Sequence, residues 1–360
     1  MQISEILSAA VPPRPQTPRP IISIGAGSIV HDSHLPAYRK AGFPVAAIVD
    51  PDLDRAKSLA AKFGIPLAVA SLDEALRQIP YDAHERSLIF DIAVPAKFIH
   101  QVLPTLPNGA AVLIQKPMGD TLEEAREILK ICRAKALTAA INFQLRWAPN
   151  MLAARRIAEA GVLGEIHDME VQVNVFMPWD IWKFLSTAPR LEILYHSIHY
   201  IDLVRSWLGN PRRVLAKTVR NPRTPALAAT KSVIILEYDE WKRVYIAANH
   251  GNEFAGDQIS RVRWEGTDGV MEASMGVNLD YPAGRPDTLR FARRGESFTE
   301  VPCSGNWFPD AFMGSMGSLQ AFISGDTKEL PTSVESSFDT MRTVEAAYIS
   351  SERDGVPLPE

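Results

Sequence analysis

The stretch RLEILYHSIHYIDLVRSWLG, residues 190–209, holds Glu192, Tyr195, His196 and His199 close together. Wound as an α-helix at about 100° per residue, it gathers Ile193, Leu194, Ile198, Ile201, Val204 and Leu208 on one side and these four polar groups on the other. A solvated helix face is mostly Lys, Glu and Arg. This face is built from groups that move protons, hold a ligand or bind a metal. Histidine, with an ordinary pKa of about 6.5, suits the removal of a hydroxyl proton near neutral pH, so His199 is a candidate base. Glu192, His196 and His199 also stand at i, i+4 and i+7, where three donors can face one ion. No HExxH or Cys/His cluster accompanies them, and no metal is assigned. For Glu192 and His196, a plain pairing across one helical turn is an equal reading.

A second chemical signal is SIGAGSIV, residues 23–30. It places Gly25-x-Gly27-x-x-Val30 between an apolar run and a helical pattern, with Asp50 about twenty residues on, at the end of the next apolar run. In that context the first glycine permits a tight turn. The second lets backbone approach a pyrophosphate lying at a helix N-terminus. Asp50 would accept hydrogen bonds from a ribose 2′-hydroxyl and repel a 2′-phosphate, which favours NAD, with NADP as the alternative. The third glycine of the pattern is absent, and Val30 stands there. The competing reading is a glycine turn that serves another ligand.

These residues need a scaffold, and the pattern around them describes one. Apolar runs at 21–25, 45–50, 87–94, 110–115 and 138–143 alternate with helical patterns, including 52–64 and 97–106 and a helix N-capped by Thr121. Runs without polar alternation read as strands buried on both faces, and strand–helix alternation implies a doubly wound parallel sheet. Beyond Asn142 the character changes. A helix at about 148–160 and a long strand at 165–176 precede the histidine segment. Strands then crowd together at 213–220, 230–238, 241–249, 259–265, 269–274 and 289–301, with YDEW and GTDG as hairpin turns. Helices at about 309–323 and 334–352 follow. The expected class is α/β: an N-terminal Rossmann sheet plus a C-terminal α+β domain with an open mixed, mainly antiparallel sheet. The expected domains are a proline-rich extended arm (1–19), a dinucleotide-binding domain (20–142), and a substrate-binding and oligomerisation domain (143–333). A C-terminal helix and tail (334–360) would pack back on the Rossmann domain.

Composition excludes several alternatives. The 360 residues carry a net charge of −4, so no basic field points to nucleic acid or an anionic membrane. No apolar run approaches the ~20 residues that span a bilayer, and the N-terminus lacks a signal-peptide pattern. Cys132 and Cys303 form no CxxC pair, which fits a reducing cytoplasm.

Two further elements, AVPAKFIH (93–100) and IQKPMGDTLEEA (114–125), fall at the carboxyl ends of the fourth and fifth expected strands, where open α/β sheets bind ligands. Together with GAGSI and HYIDLVRSWLG, they make the chain from Pro20 onward resemble the Gfo/Idh/MocA family of sugar and polyol dehydrogenases. The resemblance implies a cofactor site of Gly25, Gly27, Ser28, Ile29, Asp50, Val94, Pro95, His100, Gln115 and Lys116. Lys116 matches the family's Glu-Lys-Pro lysine, which contacts substrate near the nicotinamide. Gln115 replaces the glutamate. Pro117 restricts Lys116 to extended backbone. His199 and Asp202 match the family's Asp-x-Gly-x-His-x-x-Asp helix, with Tyr195 in place of the first Asp and Ser197 in place of the glycine.

The resemblance thus implies Lys116 and His199 as catalytic, with Tyr195 assisting; a nearby Lys116 ammonium would favour its phenolate. Trp179 and Trp182 read as a platform for a sugar ring or as an apolar anchor, with Asp180 or Lys183 reaching hydroxyls. Arg146 reads as a substrate contact or a structural ion pair, and Glu192 and His196 as substrate contacts. The implied partners are a small carbohydrate substrate and further copies of the chain, as a dimer or tetramer. Two other functions remain open on the same fold: a redox-neutral NAD-dependent glycosidase, and a non-catalytic sugar or nucleotide sensor.

Overall fold

The computed structural model describes residues 3–179 and 183–359. The chain forms two compact units, neither of them continuous in sequence. One is Pro12–Ala148 with Phe308–Met341; the other is Pro149–Trp307 with stretches at both ends of the chain, up to Val11 and from Arg342.

The first unit is built on six parallel strands: β1 (Ile21–Ile24), β2 (Val45–Val49), β3 (Leu67–Val69), β4 (Ile89–Ile92), β5 (Ala111–Ile114) and β6 (Thr138–Ile141). Their order is β3-β2-β1-β4-β5-β6. This is the doubly wound order, and its direction reverses between β1 and β4, where such sheets bind ligands. β1, β4 and β5 are buried along their whole length, as mainly apolar runs require, with Ser23 and Asp91 as the polar exceptions enclosed with them. The helices Leu53–Phe63, Leu72–Gln78 and Leu122–Ala134 start on the side chains of Asp52, Ser71 and Thr121, each accepting a backbone N–H.

The helix Ala311–Ile323 belongs to this unit and not to the second, where sequence proximity puts it. Phe312, Met316 and Leu319 enter one core with Ile21, Ile48, Ile89 and Leu113. The helix is apolar almost all round, so it must be covered on more than one face. At Gly317 a Cβ would lie 2.0 Å from the Pro13 carbonyl oxygen, so only glycine admits the proline-rich segment there. That segment is ordered against the same helix, with Arg19 N donating to Gln320 Oε1 at 2.7 Å. The arm is not extended throughout: Ile3–Ala9 forms a helix, and Arg156 Nε donates to the Ala9 carbonyl at 3.0 Å. The last helix, Val334–Glu352, is divided at Met341/Arg342, so only its first part groups with the Rossmann unit.

The second unit contains an eight-stranded sheet: β7 (Ile166–Asn174), β8 (Arg213–Val219), β9 (Lys231–Glu237), β10 (Arg243–Asn249), β11 (Ile259–Gly266), β12 (Gly269–Ser274), β13 (Thr288–Arg293) and β14 (Thr299–Glu300). The order is β14-β13-β12-β11-β7-β10-β9-β8, antiparallel except between β7 and β10. Burial alternates along β9 and β11, as expected of a sheet with one face in the core. The edge strand β8 is partly covered, because Ser350 and Ser351 side chains accept hydrogen bonds from Ala216 N and Thr218 N, each at 2.9 Å. The run 289–301 is two strands and not one, turned at Gly295, where φ is +82°. β3, only three residues long, carries too short a pattern to be read from sequence.

Candidate active site

The cofactor half lies at the β1/β4 switch point. Gly25 takes φ +108°, and a Cβ there would sit 2.5 Å from the Ala93 carbonyl oxygen, so β4 leaves room only for glycine. At Gly27 a Cβ would meet nothing within 4 Å. Ser28 beside it is exposed and Ile29 half-buried. This open backbone turn leads into a helix, as pyrophosphate binding requires. Asp50 is 7% exposed, and its carboxylate organises the turn: Oδ2 accepts from Ala26 N at 2.8 Å and Oδ1 from Asp52 N at 2.9 Å. Each carboxylate oxygen retains a second lone pair. These residues fit an adenosine ribose and a pyrophosphate. Val30, at the missing third glycine, is fully buried and opens a π-helical turn, Val30–His34. A π-turn is wider than an α-turn, which is how the helix meets a branched side chain there.

Val94 is half-buried and Pro95 exposed just beyond β4, and His100 is half-buried in the helical turn Ile99–Val102. Gln115 directly follows β5, donates its N–H to the Ile92 carbonyl at 2.8 Å, and accepts from Asn142 Nδ2 at 2.8 Å. Sequence reasoning missed what stands behind it. His34 Nδ1 lies 2.8 Å from Asp91 Oδ2, Tyr38 Oη donates to the same oxygen at 3.0 Å, and Asn142 Nδ2 approaches His34 Nε2 at 3.4 Å. None of these residues carries a spacing signal in the sequence. Lys116 is half-buried and joined to Pro117 by a cis peptide. Loss of hydration pulls its ammonium down to about 8. Arg146 donates from its guanidinium to the Pro331 carbonyl at 3.3 Å.

The second unit holds the histidine segment, and it is not one α-helix. Ile193–Ser197 forms a π-turn, and the α-helix runs from Ile198 to Leu208. The regular helical wheel therefore misplaces Glu192. It is 1% exposed, with its carboxyl taken by Ser197 Oγ at 2.5 Å and by Ser232 Oγ. It cannot serve as a direct substrate contact in this arrangement. Tyr195 and His196 are half-buried, and His199 is 5% exposed with its ring edge-on to Trp307 at 5.3 Å. Tyr195 packs with Phe184, ring centroids 5.8 Å apart. Asp202 is 1% exposed.

Trp179 is 5% exposed, tilted against His196 and edge-on to His250, so it backs the histidines and offers no open platform. Trp182 and Asp180 lie outside the described residues, as does the side chain of Lys183. Among the described residues no three His, Cys, Asp or Glu side chains are grouped to hold a metal. His250, Ser232 and Trp307 were not legible as members of this cluster, because sheet pairing and loops bring them in from distant positions.

A Rossmann sheet with this glycine turn and acidic strand end, followed by an α+β unit with an open sheet, defines a nicotinamide-dependent oxidoreductase. Residues 21–143 match the oxidoreductase family model GFO_IDH_MocA, NAD-binding Rossmann fold, and residues 151–272 match the GFO/IDH/MocA C-terminal domain. The chain belongs to this family. The D-xylose 1-dehydrogenase (NADP(+)) 2 of Haloferax volcanii is 25% identical to it over 337 residues, 91% of this chain and 96% of that one. The D-apiose dehydrogenase of Paraburkholderia graminis is 24% identical over 92% of this chain and 87% of its own. The fold is shared with an Agrobacterium radiobacter oxidoreductase solved in complex with NAD+, L-tartaric acid and magnesium (TM-score 0.78, 20% identity, 93% and 96% covered).

Proposed function

We propose that this chain is a dehydrogenase that acts with NAD on a hydroxyl of a sugar, polyol or sugar acid. The observation that carries the cofactor choice is the Asp50 carboxylate, fixed by two backbone N–H groups at the end of β2. Its charge opposes a 2′-phosphate at that position. The carbohydrate class is supported by the relatives, which are named for xylose and apiose. Nicotinamide, when bound, supplies hydride chemistry. The chain's own residues handle the proton. His199 accepts the hydroxyl proton in oxidation and returns it in reduction, and Lys116 donates a hydrogen bond to the reacting oxygen. Tyr195 assists, from the position where the family helix carries Asp.

We also read the protein as a cytoplasmic homo-oligomer. Leu215, Val219, Val233 and Ile235 on β8 and β9 are 40–50% exposed, an apolar surface that suits contact between copies. Both cysteines are free thiols, which suits a reducing compartment.

The test is NAD or NADP reduction by the purified protein with a panel of aldoses, polyols and sugar acids. Substrate-dependent NADH, with NAD preferred over NADP and a loss of ~10²-fold or more in kcat for His199→Ala, is the expected result. Absence of turnover on every compound, with NAD bound, overturns the reading.

A further inference from the structure

A buried acid–imidazole cluster sits at the start of the helix that carries His199, and the proton chemistry above makes no use of it. Glu192 accepts from Ser197 Oγ on its own helix and from Ser232 Oγ on β9. His250, just past β10, presents Nδ1 at 3.7 Å from Glu192 Oε1. That nitrogen is buried and makes no hydrogen bond, and the His250 residue is 2% exposed. The His250 ring lies over the His196 ring at 4.4 Å and 30°, and Trp179 closes on both. Two further titratable groups feel the Glu192 charge, Tyr200 on the same helix and Tyr348 on the C-terminal helix. Burial pushes both phenols up, so they stay neutral hydroxyls.

Two hydroxyl donors and the Ser197 backbone N–H do not fully replace the hydration of a carboxylate enclosed by aromatic and aliphatic groups. A proton on Oε1 removes the charge but needs an acceptor. A neutral imidazole protonated at Nε2 offers a lone pair at Nδ1, and a side-chain shift of well under 1.5 Å brings the two into hydrogen-bond range. The electrostatics agree: burial raises Glu192 to about 7 and lowers His250 to about 3. Between about pH 3 and 7 the two sites together hold one proton, and it belongs to the pair.

We propose that Glu192 and His250 form a buried, net-neutral couple sharing a single proton, and that this couple positions the His196 ring from behind as part of the substrate-binding wall. The second clause rests on the dehydrogenase reading given above. Glu192 and His250 are positioning residues, acting through His196. As pH rises past neutral the couple loses its proton. The resulting buried carboxylate then lies behind the stacked His250 and His196 rings, and substrate affinity changes with it.

Infrared spectroscopy of the full-length protein tests the couple without turnover. A protonated-carboxyl stretch that disappears with a midpoint near neutral pH, and is missing in Glu192→Gln, is the expected result. Ser232→Ala removes one donor that favours the carboxylate, so it should raise that midpoint by about half a pH unit or more. It also carries the test if Glu192→Gln does not fold. No such band in the wild type, or a band unchanged in both variants, overturns the couple. In steady-state kinetics, His250→Phe should raise KM severalfold with kcat nearly unchanged, and an unchanged KM overturns the positioning of His196. Because the infrared readout needs no substrate, failure of the dehydrogenase reading would leave it intact.

Discussion

Loss of hydration on burial holds the Lys116 ammonium at about 8. If that ammonium donates to the reacting oxygen, kcat/KM must fall as pH climbs through about 8. Lys116→Arg keeps the positive charge at all accessible pH. The variant should be slower but lack the alkaline limb, as a pH–rate profile would show; a limb unchanged in position would remove Lys116 from that role. The Glu192–His250 pair makes a separate prediction in stability. Glu192 is raised from 4.5 to about 7, so the folded state holds a proton the unfolded state has lost, and stability declines as pH rises between those values. His250 is lowered from 6.5 to about 3, so stability climbs as pH rises across that range. Where the two intervals overlap the slopes cancel. In Glu192→Gln only the histidine remains, and denaturant titrations between about pH 4.5 and 6.5 should show stability rising by up to about 1.4 kcal/mol per pH unit relative to wild type. At this scale the sequence showed which residue types were present. It did not show that Glu192 faces inward, because a wheel drawn at the α-helical period cannot anticipate a π-turn.

The elements were legible where the hydrophobic period was long and unmixed. β1, β4 and β5 follow directly from apolar runs, and the Thr121 cap from a hydroxyl followed by acidic residues. What escaped was set by contacts from elsewhere in the chain. The start of the histidine segment is held by the C-terminal helix: Arg190 makes a two-pronged ion pair with Glu345, and Leu194 N donates to Tyr348 Oη at 3.2 Å. Leu194 is buried, so its N–H has no recourse to water if the phenol is lost. Tyr348→Phe should therefore cost about 1–3 kcal/mol, measured by the denaturant midpoint. It should also lower kcat by loosening the turn that leads to His199. Full wild-type stability in the variant would show that the turn does not depend on this acceptor.

At the scale of the whole molecule, the sequence revealed two kinds of architecture but not where the chain changes allegiance. A reader of contiguous segments assigns Ala311–Ile323 to the sheet that precedes it, yet Phe312, Met316 and Leu319 complete the Rossmann core. Deleting this helix removes several large buried side chains, each worth about 2–5 kcal/mol on truncation. Residues 1–148 expressed alone should thus unfold without cooperativity and fail to retain NAD. Residues 12–148 joined to 308–341 by a flexible linker should recover a sigmoidal thermal transition. Equal behaviour of the two fragments would show that the helix is dispensable.

The discontinuity also orders events during synthesis. Chains emerge from the ribosome at about 5–20 residues per second, and domains usually fold as soon as their last segment is out. Here the cofactor half, although encoded first, lacks its closing helix until residues 308–341 have been translated. By then all of β7 through β14 has already emerged. The nascent Rossmann sheet must wait with one apolar face only partly covered while the other unit is made, and that interval is when the chain has most need of a chaperone.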